Sequence, residues 1–584
     1  MPSKIARNLP EIPRGCRVLW RTPLEVARPH EGLYTAAMAF FRSLPRPLCV
    51  AAILCGLALF LPGCQPEGPK PATPAKGNGA LHLGLVYTGN VLGTIDPCGC
   101  VKNQLGGLAR RATLMDRLRD ESASSHVLYV DYGNLLFPLG GLREIERDQL
   151  VAKARLLVTA QAKMGMAAYT PGGNDLSGGF GTFQEIFSGI GVPVVSANLF
   201  DPRTGEPLVP PSVVLDVGGV AIGVTGVSEP FVPKDSVLAE EVQVRDPFTS
   251  LEPVLADLRA KTQRILILSR LRLEDRQKLA RLPGVDFVIG SQRAINTAAA
   301  WAEGEALLSD VSDRGQQLGT LLVELFPGRR GYVSSGELTH WRNDLDQVRQ
   351  ARAQAQERGA DLAAAFDERA ASLQSKLNEA ERQNPYRPAV LDVTQEIPEQ
   401  HEHSLLVDSF RQRQETSAKA LYGDPWEGFL KGKSRYGGDQ SCRACHLPQH
   451  DFWSKTGHSN AFASLEKTHQ GADQACLKCH TTAMTIDWTP KGGWAPPFFR
   501  NVQCEACHGG AAAHAAEPLQ IKPVWIPGKN VCVQCHGIQH GENFDFEKGL
   551  RKSACPVTSG RPSKIPELIR NADNVAPKQI RREE

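Results

Sequence analysis

From Leu81 to about Trp341 the apolar residues gather in short runs: "LHLGLVY", "HVLYVDYG", "PVVSANLF", "RILILSRL" and "DFVIGS". Between them lie stretches such as "GLARRATLMDRLRDE" and "QLVAKARLLVTAQAKMG", where apolar residues recur at helical spacing. Short β-branched or leucine-rich runs predict strands, and a period near 3.6 predicts helices. Strands alternating with helices define an α/β domain with a covered sheet. "PSVVLDVGGVAIGVTGV" predicts a hairpin, two apolar runs around Gly218-Gly219.

The rhythm then changes. Asn343 to Gln383 contains no proline, and Leu362, Phe366, Leu373, Leu377 and Ala380 recur at helical gaps. This predicts one long amphipathic helix over 342–384, which Gly359 would interrupt. It would serve as a hairpin arm, a spacer or a dimerisation seam; packing along its own chain is the plainest use. After Pro385 periodicity weakens, while cysteine, histidine, glycine and tryptophan rise. Residues 440–550 lack the leucine, isoleucine and valine of an ordinary core, so something other than side chains must fill that interior.

Near the N-terminus, "PLCVAAILCGLALFLPGC" ends at Cys64 and is preceded by Arg42 and Arg46. It is shorter than the about 20 apolar residues of a transmembrane helix and reads as a signal-peptide core. Leu61-Pro62-Gly63-Cys64 resembles a bacterial lipobox, which implies lipidation at Cys64; a plain cleaved signal or an uncleaved anchor is the alternative. Met38 would give a leader of ordinary length. "QPEGPKPATPAKGNG" then reads as a flexible tether. The expected location is the bacterial cell envelope, as a periplasmic or outer-membrane lipoprotein, with surface exposure left open.

A length of 584 residues corresponds to roughly three or four domains. The expected division is a leader and lipoprotein signal peptide over 1–63, the tether over 64–80 and the α/β domain over 81–341. The helix over 342–384, a connecting segment over 385–436, a cysteine-rich domain over 437–555 and a basic tail over 556–584 follow. The net charge of +3, with no basic run interleaved with aromatics, argues against a nucleic-acid partner. Of fifteen cysteines, none lies between Cys100 and Cys442, and nine follow residue 440. Such clustering points to local chemistry rather than disulfides spread over the fold.

That chemistry is repeated. "CRACH" spans Cys442 to His446, "CLKCH" Cys476 to His480, "CEACH" Cys504 to His508 and "CVQCH" Cys532 to His536. Zinc ribbons use paired C-x-x-C units but do not require a histidine after each pair. A redox dithiol would occur once, at a helix start after a strand. Haem explains the whole unit: Cys442, Cys445, Cys476, Cys479, Cys504, Cys507, Cys532 and Cys535 bind porphyrin vinyl groups. His446, His480, His508 and His536 then become proximal iron ligands. The expectation is four covalent haem c groups, packed closely enough for electron hopping. Candidates for the opposite face of the irons are His458, His514, His469, His540, His450, His401 and His403.

"CRACH" followed by "FWSKTGHSNAFASL", then "CLKCH" and "QCEACHGGAAAH", resembles the tetrahaem cytochromes c typified by the electron acceptor of hydroxylamine oxidoreductase. The resemblance covers roughly 437–550. It implies bis-histidine haems with His458 and His514 as distal ligands, and a family type in which one haem lacks a strong sixth ligand. The earlier part resembles the metallophosphatase domain of exported 5′-nucleotidases over about 81–340, through "LVYTGNVLG", "VDYGN" and "PVVSANLFD". There Asn90 stands at the first aspartate, Leu92 at the first histidine and Asn134 at the bridging aspartate. "TPGGND" replaces the G-N-H-D/E loop, Arg270 stands at a histidine ligand and "IGSQR" replaces the closing G-H-x-H. Leucine cannot ligate a metal, and asparagine lacks the charge to bridge two cations. Phosphatase activity is therefore not expected.

"DPCGC" holds Cys98 and Cys100, too close for an easy mutual disulfide. A bridge to Cys555, a metal or haem contact and two plain thiols all stay open. "KNQLGG" lacks the Lys-Ser/Thr ending of a phosphate loop.

The fold class expected is thus multidomain: an α/β metallophosphatase-like sandwich, a long helical linker and a mostly helical or irregular multihaem cytochrome c domain. The function expected is electron transfer, with the phosphatase-like domain used for docking. Expected partners are other cytochromes or a quinol-linked donor, the membrane through a lipid anchor, and a second copy through the 342–384 helix. The rival functions are a multihaem reductase acting on a small nitrogen or sulfur compound at an open haem, and a hydrolase with a misaligned metal site.

Overall fold

The computed structural model describes residues 79–98, 104–121, 126–142, 146–229, 240–292, 300–356, 360–422, 435–482, 497–521, 527–537 and 544–556. The leader, Cys64, the tether up to Asn78, Cys100 and the tail from Val557 lie outside the described residues.

Two six-stranded sheets form the centre of the α/β domain. In the first, β1 (Leu81–Thr88) pairs in parallel with β2 (His126–Asp131), and β2 with β3 (Met166–Tyr169). The second is built around a hairpin of β4 (Ser212–Val217) and β5 (Val220–Val227), followed by β6 (Arg264–Ser269) and β7 (Phe287–Ile289). Strands β5, β6 and β7 run parallel. Gly218 and Gly219 both take positive φ, 59° and 82°, which a two-residue turn of this twist requires.

Alternation along the strands explains the layering. Leu83, Leu85 and Tyr87 of β1 face Val224, Leu266, Leu268 and Phe287 in one shared core between the sheets. Val86 and Tyr129 point the other way, toward α1 (Leu108–Glu121) and α2 (Arg147–Lys163). Ile265, Ile267 and Val288 pack against α3 (Pro247–Lys261) and α4 (Leu273–Ala280). The result is a helix–sheet–sheet–helix sandwich, in which a one-residue slip of any central strand would exchange its two faces. "PVVSANLF" departs from one continuous strand: Val194 makes an isolated parallel bridge to Tyr169 of β3, and a regular strand forms only at Leu199–Phe200. Asn198 is buried there, and its amide donates to the carbonyls of Ser228 at 2.9 Å and Arg245 at 3.1 Å in place of a ladder.

The single helix expected over 342–384 is two helices. α5 (Ser335–Gln356) and α6 (Ala360–Ala380) form an antiparallel hairpin whose seam is Leu338, Leu345, Leu373, Leu377 and Ala380. Of the expected stripe, Leu373, Leu377 and Ala380 are buried within the hairpin. The chain then returns as a strand, Asn384–Asp392, antiparallel to Gln317–Leu325 of the first sheet. α7 (His401–Tyr422) lies on α1 and α2, with Val407 and Phe410 in their core. The α/β domain therefore does not end near 341. It includes a strand and helix that local pattern placed in a linker, because their partners lie far back in the sequence.

From Tyr436 onward helices are short, and the apolar clusters among the described residues are small: Phe462, Leu465 and Leu477, then Tyr436 with Phe499.

Candidate functional site

Each C-x-x-C-H unit is one helical turn. The amide of His446 donates to the Cys442 carbonyl at 2.9 Å, and that of His536 to the Cys532 carbonyl at 2.8 Å. The second unit ends helix α8 (Gln474–His480), and the third is the helix Cys504–His508. In such a turn, cysteines three apart share a face and the histidine follows one position on. Sequence spacing alone thus presents two thiols and an imidazole together.

Tertiary structure pairs the imidazoles. The rings of His446 and His514 have centroids 6.3 Å apart, and those of His458 and His536 6.2 Å apart. Two metal–imidazole bonds of about 2 Å, plus roughly 1 Å from each ring centre to its nitrogen, span that distance. The residues fit an iron held between two histidines. Other contacts set the rings: His514 Nδ1 donates to the Ile521 carbonyl at 2.5 Å, and His536 stacks on Phe544 at 4.8 Å. His480 Nδ1 donates to the Ala461 carbonyl at 2.7 Å, which directs Nε2 to act as a ligand. The apolar Leu447 and Val533, beside and within motif turns, are exposed, as flanks of a porphyrin would be.

The remaining distal candidates separate clearly. His403 is buried in α7, with Nδ1 against Gln400 Oε1 at 2.9 Å and Nε2 against the Ala160 carbonyl at 3.2 Å. It belongs to the α/β core, and its expectation as an iron ligand is corrected. His401 is exposed at the start of the same helix. His450 Nε2 meets Asp439 at 3.0 Å, and His469 Nδ1 meets Glu415 at 2.9 Å. His540 lies outside the described residues.

The thiols give the order of the motifs in space. Cys442 is hydrogen-bonded to Cys504, which draws its thiol down to about 7. Burial, with Cys532 nearby, pushes Cys507 up to about 11. The hydrogen bond to Cys479 pushes Cys535 well up. The first motif therefore abuts the third, the third lies by the fourth, and the fourth abuts the second.

Glu505 is part of the pattern that carries the third motif's resemblance, but nothing in the sequence assigns it a role. Its buried carboxylate accepts from the amides of Gly437 and Ala511 through Oε1 and Gly438 through Oε2, each at 2.8 Å. One side chain thereby ties the third motif to the start of the first and to the helix bearing His514. The only signal was an acidic residue inside a C-x-x-C-H unit.

In the α/β domain the quoted motif residues meet where loops leave the carboxyl ends of both sheets, the usual ligand position of such sheets. Asn90, Leu92 and Asn134 keep left-handed backbone, with φ of 52°, 56° and 54°. Asn134 Nδ2 donates to Asn90 Oδ1 at 3.4 Å. Arg270 is fully enclosed and reaches across: to Asn90 Oδ1 at 2.7 Å, the Ser291 carbonyl at 2.5 Å, the Gln292 carbonyl at 2.9 Å and Glu229 at 3.1 Å. A guanidinium is the cation at the centre of these loops. Asp131 is pushed up to about 6 by burial, despite hydrogen bonds from Thr88 and Gly133. Among the described residues, no group of three or more His, Cys, Asp or Glu side chains is placed to hold a metal ion.

Two modules share this chain: an α/β sandwich of two six-stranded sheets and a segment built on C-x-x-C-H turns. Residues 441–509 match the family described as cytochrome c554 and c-prime. The N-terminal region is similar to the 5′-nucleotidase of Vibrio cholerae, 26% identical over 227 residues, 38% of this chain and 37% of that protein. That of Vibrio parahaemolyticus is 26% identical over 217 residues, 36% of this chain and 35% of that protein. The chain spans a little over a third of the length of these relatives. A 5′-nucleotidase precursor from Thermus thermophilus aligns over 57% of this chain and 59% of its own, with a TM-score of 0.41 and 20% identity.

Proposed function

We propose that this chain is an exported, lipid-anchored electron carrier with four haem c groups between residues 437 and 555, attached to a phosphatase-like domain without hydrolytic function. The observation that carries the reading is the pair of facing imidazoles, His446 with His514 and His458 with His536. Haem c supplies one-electron redox chemistry when bound. The chain's residues would do the rest: eight thiols would attach the porphyrins, the paired imidazoles would ligate iron, and Glu505 fixes the first ring pair. The contacts among motif thiols support a transfer order of first, third, fourth, second. Redox proteins of the cell envelope are the partners proposed, and Cys64 is the lipidated residue.

A second reading, reduction of a small nitrogen or sulfur compound, is favoured at one position. Among the described residues, no imidazole ring is paired with His480 as His514 is with His446. Mass measurement of the mature protein counts haems and detects the lipid; fewer than four thioether haems rejects the first reading. His514→Ala and His458→Ala should each convert one low-spin haem to high spin in electron paramagnetic resonance. Carbon monoxide binding by the reduced, unmutated protein would move the assignment to the second reading.

A further inference from the structure

We propose that the α/β domain forms an electrostatic wall for the second haem, and that Lys153 is a positioning residue setting that haem's reduction potential. The inference rests on the tetrahaem reading and gives the α/β domain a task within the same molecule.

The observations converge on one face of α2. Gln149 and Lys153 are four residues apart on this helix and therefore share a side, with Glu146 just ahead of it. All three are buried. Across from them lies the segment that enters the second motif. Lys153 Nζ meets Asp473 Oδ2 at 3.0 Å, Gln149 Nε2 donates to the Ala472 carbonyl at 2.7 Å, and Lys478 Nζ lies 3.7 Å from Glu146. Asp473 also caps α8 by accepting from the Ala475 amide at 2.8 Å. Lys153 thus grips the cap of the helix that presents Cys476, Cys479 and His480.

A second ion pair, Arg411 with Asp96, joins the first. Asp473, Asp96, Lys153 and Arg411 all act on the Cys476 sulfur. Two cations and two anions balance; Lys153 and Asp473 are enclosed and act with little screening by solvent or salt, while the partly exposed Arg411 and Asp96 are screened more. Removing one leaves a net charge beside the haem attachment. A negative remainder disfavours the reduced state, which carries the added electron; a positive remainder favours it.

The two halves of the pair therefore make opposite predictions. In full-length haem-loaded protein, spectropotentiometry with electron paramagnetic resonance should resolve the haem transitions. Lys153→Met should lower one potential and Asp473→Asn should raise the same one. The expected size is about a tenfold change in the oxidised-to-reduced ratio, near 59 mV for one electron. The other three potentials should hold. Lys153→Arg should keep the unmutated value, and Asp96→Asn, which leaves the α2 contact intact, should shift in the direction of Asp473→Asn should either first variant fail to fold. Shifts of the same sign, movement of all four potentials, or none would overturn the proposal. Peptide mass showing no thioether haem at Cys476 and Cys479 in the unmutated protein would instead remove the tetrahaem reading on which it stands.

Discussion

Leu266 and Leu477 are both completely buried, yet they lie in unlike surroundings. Leu266 sits in a core of more than twenty side chains drawn from two sheets. Leu477 has Phe462, Leu465 and little else. Burial of apolar area is the dominant favourable term in folding. Among the described residues of this region, clusters this small supply little apolar interior for a segment of about a hundred residues. The comparison separates a domain whose interior is polypeptide from one whose interior, on the proposed reading, attached porphyrin would complete.

The strongest way to break that comparison is to withhold the cofactor. Replacing the eight motif cysteines by alanine should abolish amide-exchange protection across 437–555 while β1, β2 and β6 keep theirs. Equal protection in both regions with and without haem would show that the later part has a core of its own.

A buried charge tests the earlier region. Arg270→Ala leaves Glu229, whose carboxyl burial already pushes upward, without its cation. Loss of one partner of a buried pair costs about 3–5 kcal/mol. Denaturant melting of the α/β domain should show this, with the haem spectrum unchanged. A neutral result would mean that Arg270 is incidental to the loops it joins.

Asp131 should give the sandwich a pH signature. Its folded value of about 6 lies above the 3.8 of the free side chain, so the folded state holds the proton more tightly. Stability contributed below pH 3.8 is then lost as pH rises through about 6, by roughly 3 kcal/mol in total. Asp131→Asn should remove that fall from the stability profile. An unaltered profile would assign the pH dependence elsewhere.

The smallest effect sharpens the haem side. Glu505→Gln retains the shape but loses the charge from three accepted hydrogen bonds. A cost of about 1–2 kcal/mol is expected, read as earlier thermal loss of the His446–His514 low-spin signal. Retention of that signal to the unmutated melting temperature would show that the three amides do not depend on the carboxylate.

Much of this was legible because it is local. The hairpin at Gly218-Gly219, the alternating faces of β1 and the one-turn motifs follow from spacing within a few residues. Arg270 and the two asparagines stood out because their side-chain chemistry is wrong for metal ligation whatever surrounds them. Glu505 was not legible, since its partners lie 6 to 68 residues away and only folding brings them together. The strand Asn384–Asp392 and helix His401–Tyr422 were misplaced for the same reason: short-range pattern describes an element, not the sheet or helix on which it settles.

The sequence by itself determined where thioether chemistry is available and how many units carry it, because a cysteine pair and its histidine need only one helical turn. It also determined that residues 440–550 lack an aliphatic interior. Tertiary structure alone decided that His458, which follows the first motif, faces the histidine of the fourth. It decided too that the second motif rests on α2 through Lys153 and Asp473. Such pairings bring together residues 78 and 320 positions apart, and no periodicity in the chain encodes which distant surface buries a given charge or ring.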